Sequence, residues 1–153
     1  MPNITVPGAY DDAVKGCTYI IHVASPLPRE TSTDYEATLI QPAVQGSVGM
    51  LDSATKVDTV KRVVFTSSAV SAIPFAALAD PSPRSVIKDS DRTPDEHGPF
   101  RFGAVQAYHA SKVAALNASE AWIREKEPTI RSDQYHAHIQ SSVETSSSPT
   151  CPM

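Results

Sequence analysis

Cysteine is nearly absent from the chain. Cys17 and Cys151 are the only two and lie at opposite ends of 153 residues, so there is no disulfide framework and no Cys-x-x-Cys motif. Glycine is also scarce, six against thirteen prolines, and that proline excess falls in loops, which implies a smaller core than the length suggests. A basic field is missing: 13 Lys and Arg face 17 Asp and Glu, a net charge of -4, so nucleic acid is not an expected partner. No apolar run approaches the ~20 residues that span a bilayer. Residues Met1 to Gly8 have neither the basic nor the apolar stretch of a leader, which makes cytoplasmic the expected location. The triplets Asn3-Ile4-Thr5 and Asn117-Ala118-Ser119 fit a glycosylation acceptor but have little force without such a leader. There is no Gly-x-Ser-x-Gly elbow for a hydrolase serine and no internal repeat.

What is present suits one domain. Pro7 to Gly16 reads as a short helix, with Ala9, Tyr10, Ala13 and Val14 as its apolar stripe. Thr18 to Ala24 is a β-rich run without strict alternation, which predicts a strand covered on both faces, stopped by Ser25-Pro26-Leu27-Pro28. Thr33-x-x-Glu36 is a candidate capping box. A helix follows, with its main part from Pro42 to about Lys56, and Ile40, Ala43, Val44, Ser47, Leu51 and Ala54 recur at its spacing. Gly46 and Gly49 cost that helix about 1 kcal/mol each relative to alanine, which makes sense only where something packs closely. Val63 to Thr66 is a second unalternating strand, ending in Ser67-Ser68-Ala69. Residues 70 to 104 read as a long irregular loop, and loops of that length are commonly functional. Val105 to Lys126 is the third helix, with Tyr108, Lys112, Ala115, Ser119 and Trp122 on one stripe. From Thr129 the composition turns polar and reads as a disordered tail. The order strand, helix, strand, loop, helix argues for an α/β fold with parallel strands, and ligands bind such sheets at the carboxyl ends of the strands.

The chemistry-bearing candidates each have a plain alternative. Tyr108 and Lys112 are one helical turn apart on one face. An ammonium beside a phenol favours phenolate and makes a better proton donor or acceptor, although such pairs are common on helix faces. A hydroxyl from Ser67 or Ser68 would hydrogen-bond a substrate carbonyl, or would simply end a strand. Val23-Ala24-Ser25-Pro26 offers small residues to a ligand, or is a strand-ending turn. His136 and His138 lack further ligands at familiar metal spacing and read as part of the polar tail. His22 reads as a satisfied strand histidine and His109 as a helix-face residue.

Taken in order, these segments resemble the extended short-chain dehydrogenase/reductase superfamily, also known as the NAD-dependent epimerase/dehydratase group. The similarity is to its dihydroflavonol-reductase-like branch, with the fungal ketone and aldehyde reductases. It is carried by Gly8 to Cys17, by Ile21-His22-Val23-Ala24-Ser25-Pro26, by Pro42 to Ser47, by Val60 to Ala69 and by Tyr108-His109-Ala110-Ser111-Lys112, within residues 4 to 126. The resemblance implies a partial Rossmann-type, doubly wound parallel sheet over residues 1–128, followed by the tail 129–153. It implies NADPH as hydride donor to an aldehyde or ketone. Tyr108 would be the general acid, Lys112 its charged neighbour and ribose ligand, and Ser68 the residue that polarises the carbonyl. Val23, Ala24, Ser25, Thr66 and Ser67 would line the cofactor, along with Tyr108 and Lys112, and the loop 70–104 would recognise part of the substrate.

The chain departs from that family in three places. It has no strand-turn-helix of G-x-x-G-x-x-G type for the cofactor pyrophosphate, which predicts no measurable NADPH binding by this chain. Where relatives carry Gly-Thr-x-Asn it has Gly46-Ser47-Val48-Gly49. After the third helix it lacks the expected strand and Pro-Gly turn. Both strands are therefore expected to have bare edges, through which copies would self-associate. The alternative to a reductase is a catalytically inactive fragment or interaction module derived from one.

Overall fold

The computed structural model describes residues 3–28, 33–78, 87, 88 and 90–135. Its centre is a three-stranded parallel sheet formed by β1 (Tyr19–His22), β2 (Arg62–Thr66) and β3 (Arg131–Tyr135), in that spatial order. Between the first two strands lie a single wide turn, Glu36–Ile40, and helix α1 (Gln41–Ala54). Between the second and third lie a tight 3-10 turn, Ala69–Ala72, the short helix α2 (Phe75–Leu78) and the long helix α3 (Gly103–Lys126). Parallel strands joined this way use right-handed crossovers, so α1 and α3 cover the same face of the sheet.

That face holds the core. Val63 and Phe65 of β2 pack with Met50, Leu51 and Ala54 of α1, with Val14 and Val60, and with Ile130 ahead of β3. Full burial of a side chain such as Leu51, 0% exposed, is worth about 1.5–3 kcal/mol. Small residues let α3 approach closely: Ala107, Ala110 and Ser111 are all inaccessible to solvent. The opposite face of β1 is uncovered among the described residues, with Tyr19 and Ile21 each 72% exposed. The expectation of a strand buried on both faces is therefore corrected, because both crossovers place their helices on one side. The absence of alternation in Tyr-Ile-Ile-His reflects two apolar faces, only one of which is covered.

Two further expectations change. Pro7 to Gly16 is not a regular helix but a succession of turns, such as Ala9 N–H to Val6 O at 3.0 Å and Asp11 N–H to Gly8 O at 3.0 Å. Gly8 (φ 76°) adopts a left-handed backbone angle that interrupts a helix in its first turn, whereas Gly16 (φ 73°) only closes the last turn. The polar segment after the third helix is a strand at its start. Glu127 takes a left-handed φ of 43° and its N–H reaches Ile123 O at 3.0 Å, after which Pro128 prevents continuation of the helix. The chain then runs beside β2 in register from Arg62↔Arg131 to Thr66↔Tyr135. The edge of β2 is thus paired rather than bare, while β1 remains an edge strand among the described residues. Residues 136–153, including His136 and His138, lie outside the described residues.

The helix start is capped by Asp34, whose carboxylate accepts Ala37 N–H at 3.1 Å, in place of the expected Thr33. Pro42, in the first turn of α1, offers no N–H, and the chain is wider just before it. Close packing is found at one of the two glycines: a Cβ on Gly46 would lie 3.0 Å from Ile4 Cδ1, whereas one on Gly49 would meet nothing within 4 Å. The described part of the long loop is strapped along α3. Arg92 Nη2 bonds Glu120 Oε1 at 2.6 Å, and Asn117 Nδ2 donates to Thr93 O at 3.0 Å and Asp95 Oδ1 at 2.8 Å. No helix among the described residues is long and apolar enough to cross a membrane.

Candidate active site

The carboxyl ends of β1 and β2 and the first half of α3 converge on one narrow cleft. Its wall includes His22, Ser25, Ser47, Thr66, Ser67 and Lys112. Strand ends and helix faces supply them, with Ser47 at the middle of α1. Ser25 follows β1 where Pro26 stops it, Thr66 ends β2, and Lys112 points out of α3 one turn after Tyr108. Lys112 Nζ donates to Ser25 Oγ at 2.8 Å and lies 5.4 Å from the centre of the Tyr108 ring. Burial pushes the Lys112 ammonium below the usual lysine range. An ammonium held over a phenol face is a cation–π contact that also places positive charge beside a proton donor.

Ser68 follows directly, extended at φ -140° and ψ 142°, at the entrance to the 3-10 turn. Its carbonyl accepts the Ser71 hydroxyl at 2.6 Å, and Ser67 Oγ lies 3.3 Å from Ser71 Oγ. Ala24 joins the cleft wall. Val23 does not. Strand alternation turns it away from His22 and onto the uncovered face, 64% exposed.

Two polar wall residues, Ser47 and His22, stand outside the site that the sequence predicts. Ser47 stands one helical turn after Ala43 on the side of α1 that meets the cleft, and the pairing of small residues at i and i+4 is the only signal for it. The expectation that His22 is a satisfied strand histidine is corrected: its Nε2 is buried without a hydrogen-bond partner, and burial together with the Lys112 charge lowers its pKa. Its ring sits edge-on between Tyr10 (5.6 Å) and Phe65 (5.3 Å). Among the described residues no group of three or more His, Cys, Asp or Glu side chains is placed to hold a metal.

The donors at the cleft suit the ribose and nicotinamide end of a dinucleotide: a cation, three serine hydroxyls and a strand terminus. They do not suit its pyrophosphate. Gly46 and Gly49, the nearest approach to a glycine-rich pattern in the sequence, are inside α1 rather than at a helix start.

The chain has relatives of known sequence and structure. The sequence pattern of the NAD dependent epimerase/dehydratase family matches residues 3–131. The chain belongs to that family. Ketoreductase CTB6 of Cercospora beticola is 40% identical over 138 residues, which is 89% of this chain and 38% of that protein. The NAD-dependent epimerase/dehydratase ALT6 of Alternaria alternata is 39% identical over 124 residues, 80% of this chain and 34% of its own length. The crystal structure of yeast methylglyoxal/isovaleraldehyde reductase Gre2 complexed with NADPH superposes with a TM-score of 0.72 at 27% identity, covering 88% of this chain and 40% of that one. The chain thus spans between a third and two fifths of the length of these relatives. Its three parallel strands and one helical layer correspond to part of a Rossmann-like reductase fold.

Proposed function

We propose that the chain carries the proton-transfer side of an NADPH-dependent aldehyde or ketone reductase. The observation that carries this reading is Lys112, which joins the Tyr108 ring to Ser25 at the mouth of the sheet. In the reaction the cofactor supplies hydride to the carbonyl carbon. Tyr108 gives its phenolic proton to the carbonyl oxygen, and the product is the alcohol. Lys112 stabilises the phenolate left behind, and its ammonium and Ser25 would hold the ribose hydroxyls of a bound cofactor. Ser68 donates a hydrogen bond to the carbonyl oxygen, where negative charge develops. Ser67, Thr66 and Ala24 form the wall behind, and Val23 takes no part. The pyrophosphate has no cradle among these residues, and the choice of NADPH is supported by the yeast neighbour. Turnover of a panel of aldehydes and ketones with NADPH tests the reading. Tyr108→Phe is expected to lower kcat by about 100-fold or more, and retention of wild-type kcat would refute the role.

A second reading is favoured by the uncovered face of β1. Tyr19 and Ile21 of this edge strand are each 72% exposed and Val23 just beyond it 64%, and such a surface suits binding to other chains. An interaction module would self-associate or pair with a relative through it. Light scattering on the eluting chain tests this, and a monomer at all concentrations argues against it.

A further inference from the structure

One residue after Tyr108, α3 turns a histidine inward. His109 is 2% exposed, and its Nε2 donates to the Ile73 carbonyl at 2.7 Å. A carbonyl only accepts, so Nε2 bears the proton. The Nδ1 edge faces Glu96 Oε2 at 3.7 Å without a hydrogen bond, and the Phe75 ring stands across it at 5.4 Å. Glu96 is itself held from α3, where Gln106 Nε2 donates to its carboxylate and Gln106 Oε1 accepts Phe102 N–H at 3.1 Å.

Ile73 terminates the turn that Ser68 begins. Within that turn Ser71 N–H and Ser71 Oγ both donate to Ser68 O, at 3.0 and 2.6 Å, and Ile73 N–H donates to Val70 O at 3.2 Å. Residues 68 to 73 therefore move as one unit, and His109 grips its far end. A buried imidazole carries a desolvation cost that an aliphatic side chain would not. Its return is one bond to a backbone atom of another element, which sets distance and angle rather than adding apolar contact.

We infer that His109 is a positioning residue, locking the Ser68-bearing turn onto the helix that carries Tyr108, with Glu96 and Phe75 fixing its ring. The inference rests on the reading of Tyr108 and Ser68 as acid and carbonyl-polarising group. His109 touches neither substrate nor cofactor. It acts by keeping two groups on different elements in one relative placement, to which transition-state stabilisation is sensitive.

Amide hydrogen exchange on the full chain tests this in two variants. His109→Phe keeps the ring volume and removes the donor, and His109→Gln keeps a donor of similar reach. In His109→Phe the Ser71 and Ile73 amides are expected to exchange about tenfold faster, with α1 and β2 amides within about twofold of wild type. His109→Gln should return residues 69–73 to within about threefold of wild type. Unchanged exchange at residues 69–73 in His109→Phe, or equal acceleration everywhere, would overturn the inference, as would a His109→Gln variant as loose as the Phe variant. Turnover separates the two layers of the argument. With Tyr108→Phe inactive, His109→Phe should lose about tenfold in kcat with KM for NADPH unchanged, and His109→Gln should recover it. Wild-type kcat in His109→Phe would overturn the positioning role. Full activity in Tyr108→Phe would instead overturn the reductase reading, leaving exchange to decide whether His109 holds the turn.

Discussion

Lys112 Nζ and Ser25 Oγ, 2.8 Å apart, join α3 to the end of β1 across 87 positions of sequence. The bond holds a half-buried ammonium whose pKa is pushed below the lysine range by burial. In the interval between the folded pKa and the ordinary value of about 10.4, the unfolded chain binds the proton and the folded chain does not. Stability therefore rises with pH across that interval. Lys112→Met should remove this contribution, so the wild-type denaturant midpoint should rise relative to the variant's as pH climbs toward about 10.4. A pH-independent difference would show that burial does not perturb Lys112.

His22 follows the same sign at lower pH. Its pKa is lowered by burial first and by the Lys112 charge second. Below about pH 6.5 the unfolded imidazole takes up a proton that the folded one resists, so stability falls as pH drops from there to the folded pKa, then levels. His22→Phe preserves the edge contacts with Tyr10 and Phe65 and removes the proton. Urea midpoints at pH 7 and pH 5 should differ less in the variant than in wild type, and an equal loss in both proteins would place the acid sensitivity elsewhere.

The elements that the sequence made legible are those whose own residues decide them. Val63 and Phe65, Leu51 and Ala54, and the stripe from Tyr108 to Trp122 have the spacing of the structures they form. Their order was enough to bring Ser25, Thr66, Ser67 and Lys112 to one cleft. β3 was illegible because Arg-Ser-Asp-Gln-Tyr has no apolar pattern, and pairing with β2 makes the strand. The turns at residues 7–16 share a helix's apolar spacing, and the positive φ of Gly8 with the irregular turn bonds tells them apart. His109 gave no sign because a polar residue in a helix reads the same whether it meets solvent or a distant carbonyl.

Gly49 is a helical glycine with no structural reason to lack a side chain. A Cβ there would meet nothing within 4 Å, unlike Gly46, where it would press on Ile4 at 3.0 Å. Gly49→Ala should stabilise the chain by about 0.5–1 kcal/mol through helix propensity alone. Gly46→Ala should gain less or lose, because Ile4 must shift. Equal gains in thermal unfolding would mean that Ile4 yields freely.

Trp122 is the chain's one tryptophan and spans the two helices, its Nε1 donating to Asp52 Oδ1 at 2.8 Å. Its fluorescence therefore reports the docking of α3 on α1, the contact that carries Lys112 and Tyr108 to the strand ends. Asp52→Ala removes an acceptor that is exposed and well hydrated when unpaired, so the loss should be about 1 kcal/mol rather than that of a buried charge. The indole N–H then turns to water and the emission should shift to the red in the folded state. NADPH should bind the wild-type chain only weakly, with turnover saturating in the millimolar range and no binding heat at micromolar concentrations by calorimetry, since no turn among the described residues receives the pyrophosphate. Saturable heat would show that the cleft at Ser25 and Lys112 binds the dinucleotide without that cradle.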